Sequence, residues 1–352
     1  MGKRNGRRVL FFAVGTFLLL TTAFLSSAKA EENAEEEYLP FTGPLPLRND
    51  NPLYLALFSA VLPDQARTTA PRRWSLEAGH LGSNNVIEQH NVTESDFVLL
   101  DMELQRFELD LRYGLQEKLE LRATLPYLFM GGGYMDDFIL SFEETFGFTT
   151  PGARESRGEN EFRYLFRVNG QNLIDESDTT IQGLGDIPIQ LKYQFRDEQG
   201  GLLPDVAVRG ILKLPTATES ILGNGHVGGG IGLLAEQPIG KRILLIGNLD
   251  ITSVRPTRRL KSLNLDDTMV SGLLGFEHRL TRRLSWKGYT LGATNPYPTF
   301  HEDMSALNRP PMGVGIGAAY RFKRATVKLN VVENFFSAWP DFAWGISVQT
   351  DL

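Results

Sequence analysis

No cysteine occurs in the 352 residues. That absence excludes a disulfide framework, a thiolate metal site, a cysteine nucleophile and a lipid-modified cysteine behind a leader, so attachment to an envelope would have to come from the fold. Beyond residue 30 there is also no apolar run near the ~20 residues that a membrane-spanning helix needs. A mature chain held in a membrane would therefore cross it with strands, for which hydropathy is silent and two-residue alternation is the signal. Excess base is missing too. Taking Lys3, Arg4, Arg7, Arg8 and Lys29, the bases of the first thirty residues, from the 36 of the whole chain leaves 31 against 42 acids, or −11. That balance speaks against nucleic acid as a partner. Histidine is scarce and scattered: His80, His90, His226, His278 and His301 fall in separate elements, none with a second ligand at metal-binding spacing.

What is present begins with a targeting device. Four bases precede a largely apolar run from Val9 to Leu25, followed by Ser26, Ser27 and the small-residue signal Ala28-Lys29-Ala30. Cleavage after Ala30 is expected, which makes Glu31 the first mature residue. The rival reading is an uncleaved anchor, since seventeen residues at ~1.5 Å each could cross a bilayer core with some strain.

From residue 74 onward, apolar residues alternate with charged, polar or glycine residues. Phe107, Leu109, Leu111 and Tyr113 interleave with Glu108, Asp110 and Arg112; Met312, Val314, Ile316 and Ala318 interleave with Gly313, Gly315 and Gly317. Twelve strands are expected, near 74–83, 97–113, 118–128, 184–196, 204–215, 226–236, 242–254, 268–280, 283–294, 311–323, 325–335 and 341–352. A soluble β-sandwich would also alternate. Connection lengths separate the two: short turns at 115–117, 197–203, 238–241, 281–282 and 323–324 alternate with mostly longer polar loops, as in bacterial outer-membrane barrels. Aromatic residues band at strand ends, with Trp74, Tyr113, Tyr193, Phe195, Trp286, Tyr320 and Phe322 at the turn level and Tyr127, Phe335 and Phe342 at the other. The expected fold is all-β, an antiparallel transmembrane β-barrel of about twelve strands spanning 74–352. It is preceded by a signal peptide, 1–30, and a short periplasmic N-terminal arm, 31–73, whose apolar patch Leu53 to Leu62 could dock at the periplasmic mouth.

Three finer expectations follow. Tyr113 opposite Leu119 would set Arg112 against Glu120 and Asp110 against Arg122. A two-residue closure at Arg324-Ala325 would bring Arg321 opposite Lys328, a pair that needs an acid from another strand nearby. The connection from Phe129 to Gly183, far beyond the usual loop length, is expected as a long extracellular loop in which Phe138, Phe142 and Phe146 share one face of a short helix and act as a lid.

The segment Gly43-Pro44-Leu45-Pro46-Leu47-Arg48-Asn49-Asp50-Asn51-Pro52-Leu53-Tyr54, the Asp101-x-Glu103 step leading into Leu111-Arg112-Tyr113-Gly114-Leu115, and Leu212-Lys213-Leu214-Pro215-Thr216 resemble a family of proteobacterial envelope proteins known only as a domain of unknown function. The resemblance runs from about Phe41 to the end and implies a barrel without implying an activity. Gly183-Leu184-Gly185-Asp186 is similar to a step in outer-membrane barrels grouped with aromatic-compound degradation. Outer-membrane barrels usually end in an aromatic residue read by the insertion machinery. This chain departs from that with Leu352.

No catalytic, cofactor-binding or metal-ligating set emerges, so an enzyme is not expected. An outer-membrane phospholipase would need histidine and serine two apart, but no His-x-Ser occurs, and His80 and Ser83 would face opposite sides of a strand. The glycines at 228–232 and 313–317 alternate within strands and lack the helix that a dinucleotide loop requires. What remains is a set of lumen-facing charges: Glu108, Asp110, Arg112, Glu120, Arg122, Lys192, Arg209 and Lys213, with Glu277 and Lys328. Two functions stay open. One is a passive channel or binding barrel for a small-molecule solute; the other is a structural or assembly barrel with a plugged lumen. Outer-membrane lipid and the barrel-insertion machinery are the other expected partners, in the outer membrane of a Gram-negative bacterium. An open lumen along Gly313, Gly315 and Gly317 would favour the first function, and a lumen filled by the long loop or the arm the second.

Overall fold

The computed structural model describes residues 40–55, 57, 63–135, 161–177, 180–196, 203–335 and 338–352. Among them run fifteen strands: β1 (Trp74–His90), β2 (Phe97–Gln116), β3 (Leu119–Gly131), β4 (Arg163–Val168), β5 (Gln171–Ser177), β6 (Ile181–Leu184), β7 (Ile187–Arg196), β8 (Asp205–Leu214), β9 (Gly228–Ile239), β10 (Ile243–Ser253), β11 (Thr268–Arg279), β12 (Leu284–Ala293), β13 (Met312–Arg321), β14 (Thr326–Asn334) and β15 (Phe342–Asp351). All but β4, β5 and β6 form a ring of twelve antiparallel strands, and β15 returns to β1 from Ser75↔Asp351 to Asn84↔Phe342. Closure leaves the barrel without an open edge, as a sheet in lipid must be.

Alternation sets the two faces. On β10, Leu244, Ile246, Asn248, Asp250 and Thr252 turn inward and are buried, whereas Leu245, Leu249 and Ile251 are 43%, 51% and 45% exposed. Leucine and isoleucine left outside on successive strands suit a lipid-facing surface, which water would not tolerate over so wide an area. Trp74, Tyr193, Phe195, Tyr320 and Phe322 are exposed around the end where the short turns lie.

The expected register of the first hairpin is corrected by two residues. Tyr113 faces Leu121 and Arg112 faces Arg122, because β2 runs on to Gln116 and bulges between Gly114 and Gln116. A slip of two keeps every side chain on its own face, so alternation cannot detect it. At β13 and β14, Lys328 faces Ala319 and Arg321 faces Thr326, so the expected Arg321–Lys328 opposition does not arise. Lys328 instead reaches Glu77 of β1 at 3.1 Å.

The connection expected as one long loop at 129–183 is partly built from strands. The β4–β5 hairpin extends β2 at Phe97–Asp101, and β6 extends β3 at Tyr127–Met130. Phe138, Phe142 and Phe146 lie outside the described residues.

The segment before β1 also differs from expectation. In place of an arm at the mouth, the described residues of this segment, 40–55, 57 and 63–70, run within the barrel. The reason is chemical: Leu45, Leu47, Leu53 and Tyr54 are 0–1% exposed there, whereas at a mouth they would face water.

Candidate functional site: the occupied lumen

The inner segment climbs from the turn end to the loop end and comes back. Thr42 donates through its backbone N–H and hydroxyl to Glu277, and Lys287 donates to the Gly43 carbonyl. Leu45 and Leu47 then pack on inward-facing Leu244, Ile246, Leu273, Tyr289, Leu291 and Val332, with Trp339. The glycine stripe of β13 makes room for them. A Cβ at Gly317 would sit 2.6 Å from Leu45 and one at Gly315 would sit 3.5 Å from Leu47. Burying each leucine stabilises this seat by about 1.5–3 kcal/mol.

Farther along, the segment turns to the opposite, charged wall. Arg48 meets Glu108 at 2.7 Å, and Arg106 holds Asp50 in a fork, with Nη2 at 2.5 Å and Nε at 3.0 Å from one oxygen. At the loop end, helix α1 (Pro52–Leu55) inserts Leu53 and Tyr54 into an apolar cluster with Tyr164, Phe166, Leu260, Tyr297, Met304 and Leu307. Tyr297 donates to the Leu53 carbonyl at 2.6 Å.

The return leg carries Asp64. Its carboxylate lies 3.2 Å from Arg112, 3.5 Å from Arg122, 3.4 Å from Lys192 and 4.0 Å from Arg209. The Asn248 side chain clasps its backbone, accepting from the Asp64 N–H at 3.0 Å and donating to its carbonyl at 2.9 Å. Thr69 then donates to Glu120, and the chain crosses the end of β2 at Gly114. A Cβ there would fall 2.5 Å from the Thr69 carbonyl, so only glycine lets the segment leave the barrel at this point.

All eight charges singled out in the sequence face the interior and are buried. Asp110 binds Arg112 at 2.9 Å and Arg122 at 2.6 Å, with Thr124 donating to it at 2.8 Å. Glu120 pairs with Lys192 at 2.8 Å, Arg209 with Asp250 at 2.6 Å, and Lys213 with Asp186 at 2.5 Å. The expected Arg112–Glu120 pair is replaced by Arg112 with Asp110 and Asp64, since the register shift moves Glu120 to Gly114 and toward Lys192. The Asp110–Arg122 pair persists as a diagonal contact. A double-mutant cycle of Asp110→Asn and Arg122→Gln, read by chemical unfolding, is expected to give a coupling of about 1–3 kcal/mol. Additive effects would show that the contact carries no energy of its own.

Sequence reading missed Asp64, Asp50, Asp186, Asp250 and Asn248. One signal was available: the eight named charges hold five bases and three acids, an imbalance that a buried wall cannot keep without acids from elsewhere.

One cavity borders the inner segment and another lies among the outer loops. At the turn end lies one of about 990 Å³, lined by Arg67, Arg73, Arg112, Arg283, Arg321, Lys323 and Arg324, with Asp351 as the acidic side chain. At the loop end a second, of about 530 Å³, is lined by Asp96, Asn169, Gln171, Asn264, Phe300 and His301 among others.

Several solved structures are similar to the chain to differing degrees. The COG4313 outer membrane channel from Pseudomonas putida F1 is similar over 83% of this chain and 100% of its own, at 11% identity and a TM-score of 0.54, a likeness of fold. The KdgM porin, at 6% identity, covers 78% of this chain and 98% of its own with a TM-score of 0.40; the toluene transporter TodX of Pseudomonas putida, at 9% identity, covers 80% and 89% with 0.35. No curated protein matches the sequence. A family model, that of the protein of unknown function DUF3187, matches residues 16–350, and the chain belongs to that family.

Proposed function

We propose that this chain is a small-molecule channel of the Gram-negative outer membrane that rests closed, with residues 40–70 as its plug. The first thirty residues serve for export and are removed, the short turns face the periplasm, and the outward apolar residues meet outer-membrane lipid after insertion by the barrel machinery. The observation that carries the reading is an inner segment that enters and leaves the barrel at the same end, beside the 990 Å³ cavity and over the glycines of β13. A barrel meant only as a scaffold could fill its lumen with inward side chains of its own strands. Here Gly315 and Gly317 keep space that Leu47 and Leu45 of a separate, withdrawable piece of chain occupy, while Trp339 fills the space over Gly313. Much of its hold on the charged wall is ionic, and such contacts water can replace once the segment moves.

A second reading, a permanently plugged structural barrel, draws on the filled lumen itself, which by the criterion above favours it, and on the tip: Leu53 and Tyr54 are built into the loop-end cluster and are fully buried. Liposome swelling separates the two. A chain lacking residues 41–70 is expected to admit small sugars and amino acids that the intact chain admits slowly. Equal, negligible swelling by both, with the barrel shown to be folded, would favour the structural barrel.

A further inference from the structure

Asp64 is the meeting point of bases from four adjacent strands: Arg112 of β2, Arg122 of β3, Lys192 of β7 and Arg209 of β8. The wall itself supplies three acids to this network, Asp110, Glu120 and Asp250. Within ion-pair distance of one another, four bases against three acids leave a local excess of one positive charge, which the carboxylate of the plug neutralises; Glu77 and Glu236 face Arg112 and Lys192 from farther off. We propose that this wall is a binding site for the carboxylate of a small monoanionic solute, and that Asp64 occupies it at rest. The inference rests on the plug reading and names the solute class that would open it.

Three further features agree with a ligand site. Gln190 of β7 is 1% exposed, its amide oxygen accepts from Arg209 at 3.1 Å, and its amide nitrogen has no partner among the described residues. It is a spare donor beside the carboxylate position. Asn248 holds Asp64 through the backbone alone, and the carboxylate, which takes one bond from the plug's own Gln65 N–H at 2.9 Å, is otherwise turned to the bases of the wall. The 990 Å³ cavity at the turn end is lined by six further bases and reaches Arg112, a member of the site. A basic vestibule concentrates anions at its floor. Charge decides among anions: a carboxylate restores neutrality and matches the planar guanidinium forks of Arg112 and Arg122, whereas a phosphate dianion would overshoot by one.

Chemical rescue tests the site independently of transport. Asp64→Ala leaves the excess charge and a space where the carboxylate stood, so refolded yield is expected to fall roughly tenfold or more, since an uncompensated buried charge is strongly destabilising. Sodium formate should restore most of that yield, and raise the unfolding temperature of the refolded variant, where sodium chloride or sulfate at equal ionic strength does not. Leu45→Ala, which opens a space in the apolar seat and leaves no charge uncompensated, should show no preference for formate. An Asp64→Ala response to formate no larger than to chloride, in yield and in unfolding temperature, would overturn the proposal. If Asp64→Ala refolds in neither salt, Asp64→Gly is read in the same way, and failure there as well counts against the site. In planar bilayers, formate or acetate is expected to raise the open time of the intact chain above that in chloride. Rescue without any channel opening would leave the carboxylate site standing and remove the channel reading.

Discussion

Replacing Asp64 by lysine is expected to expel the plug from the barrel. The site would then hold five bases against three acids, in a place where the four wall bases and Asp64 are all nearly inaccessible to water. Breaking a buried ion pair by removing one partner costs about 3–5 kcal/mol, and a charge reversal adds repulsion to that loss. The wall cannot relax, because Arg112, Arg122, Lys192 and Arg209 are set by the ladders of β2, β3, β7 and β8. The plug can, because beyond its tip it is joined to the barrel by side-chain contacts. Asp64→Lys should therefore keep the strand content of the parent by circular dichroism, while residues 40–70 become open to protease and conductance rises. Asp64→Glu, which keeps the charge, should change both far less. A plug as resistant in Asp64→Lys as in the parent would show that the ionic wall does not hold it.

Leu47→Asp is expected to have the second largest effect, from the opposite wall. Leu47 is fully buried against Gly315 and the cluster of Leu244, Ile246, Tyr289 and Val332. A carboxylate there would find no basic partner within that cluster, and an unpaired buried charge costs several kcal/mol. Leu47→Met, close in volume, should cost less than about 1.5 kcal/mol. Protease release of the segment in Leu47→Asp but not in Leu47→Met would mark the apolar seat as half of the latch. Equal resistance in both would place the whole hold on the ionic side.

The strands were legible because an outward-facing residue in a barrel must be apolar and an inward one need not be. Leu245, Leu249 and Ile251 against Asn248, Asp250 and Thr252 write that rule along β10. Register was legible only modulo two, which is why Tyr113 was set against Leu119 when it faces Leu121 across a bulge. The occupied lumen was not legible at all from local pattern. The described residues of 40–70 form no strand or long helix to give a period, and the four bases around the Asp64 carboxylate all stand at least 48 positions away. The trace it left was indirect: surplus bases among the inward charges, and leucines at 45 and 47 in a segment that would otherwise have been solvated. The glycines of β13 were read as space, which they are, but alternation does not say what fills it.

Whether residues 40–70 fill the resting barrel can be read with a single cysteine, since the chain has none of its own. Leu47→Cys and, as an exposed reference, Val92→Cys, at a position 85% exposed, would each be placed in the intact chain in liposomes and treated with a small membrane-impermeant thiol reagent from both sides. With the lumen occupied, position 92 labels at once, and position 47 labels only after the protein is unfolded. Labelling of Leu47→Cys in the folded barrel as fast as that of Val92→Cys would contradict a plugged lumen.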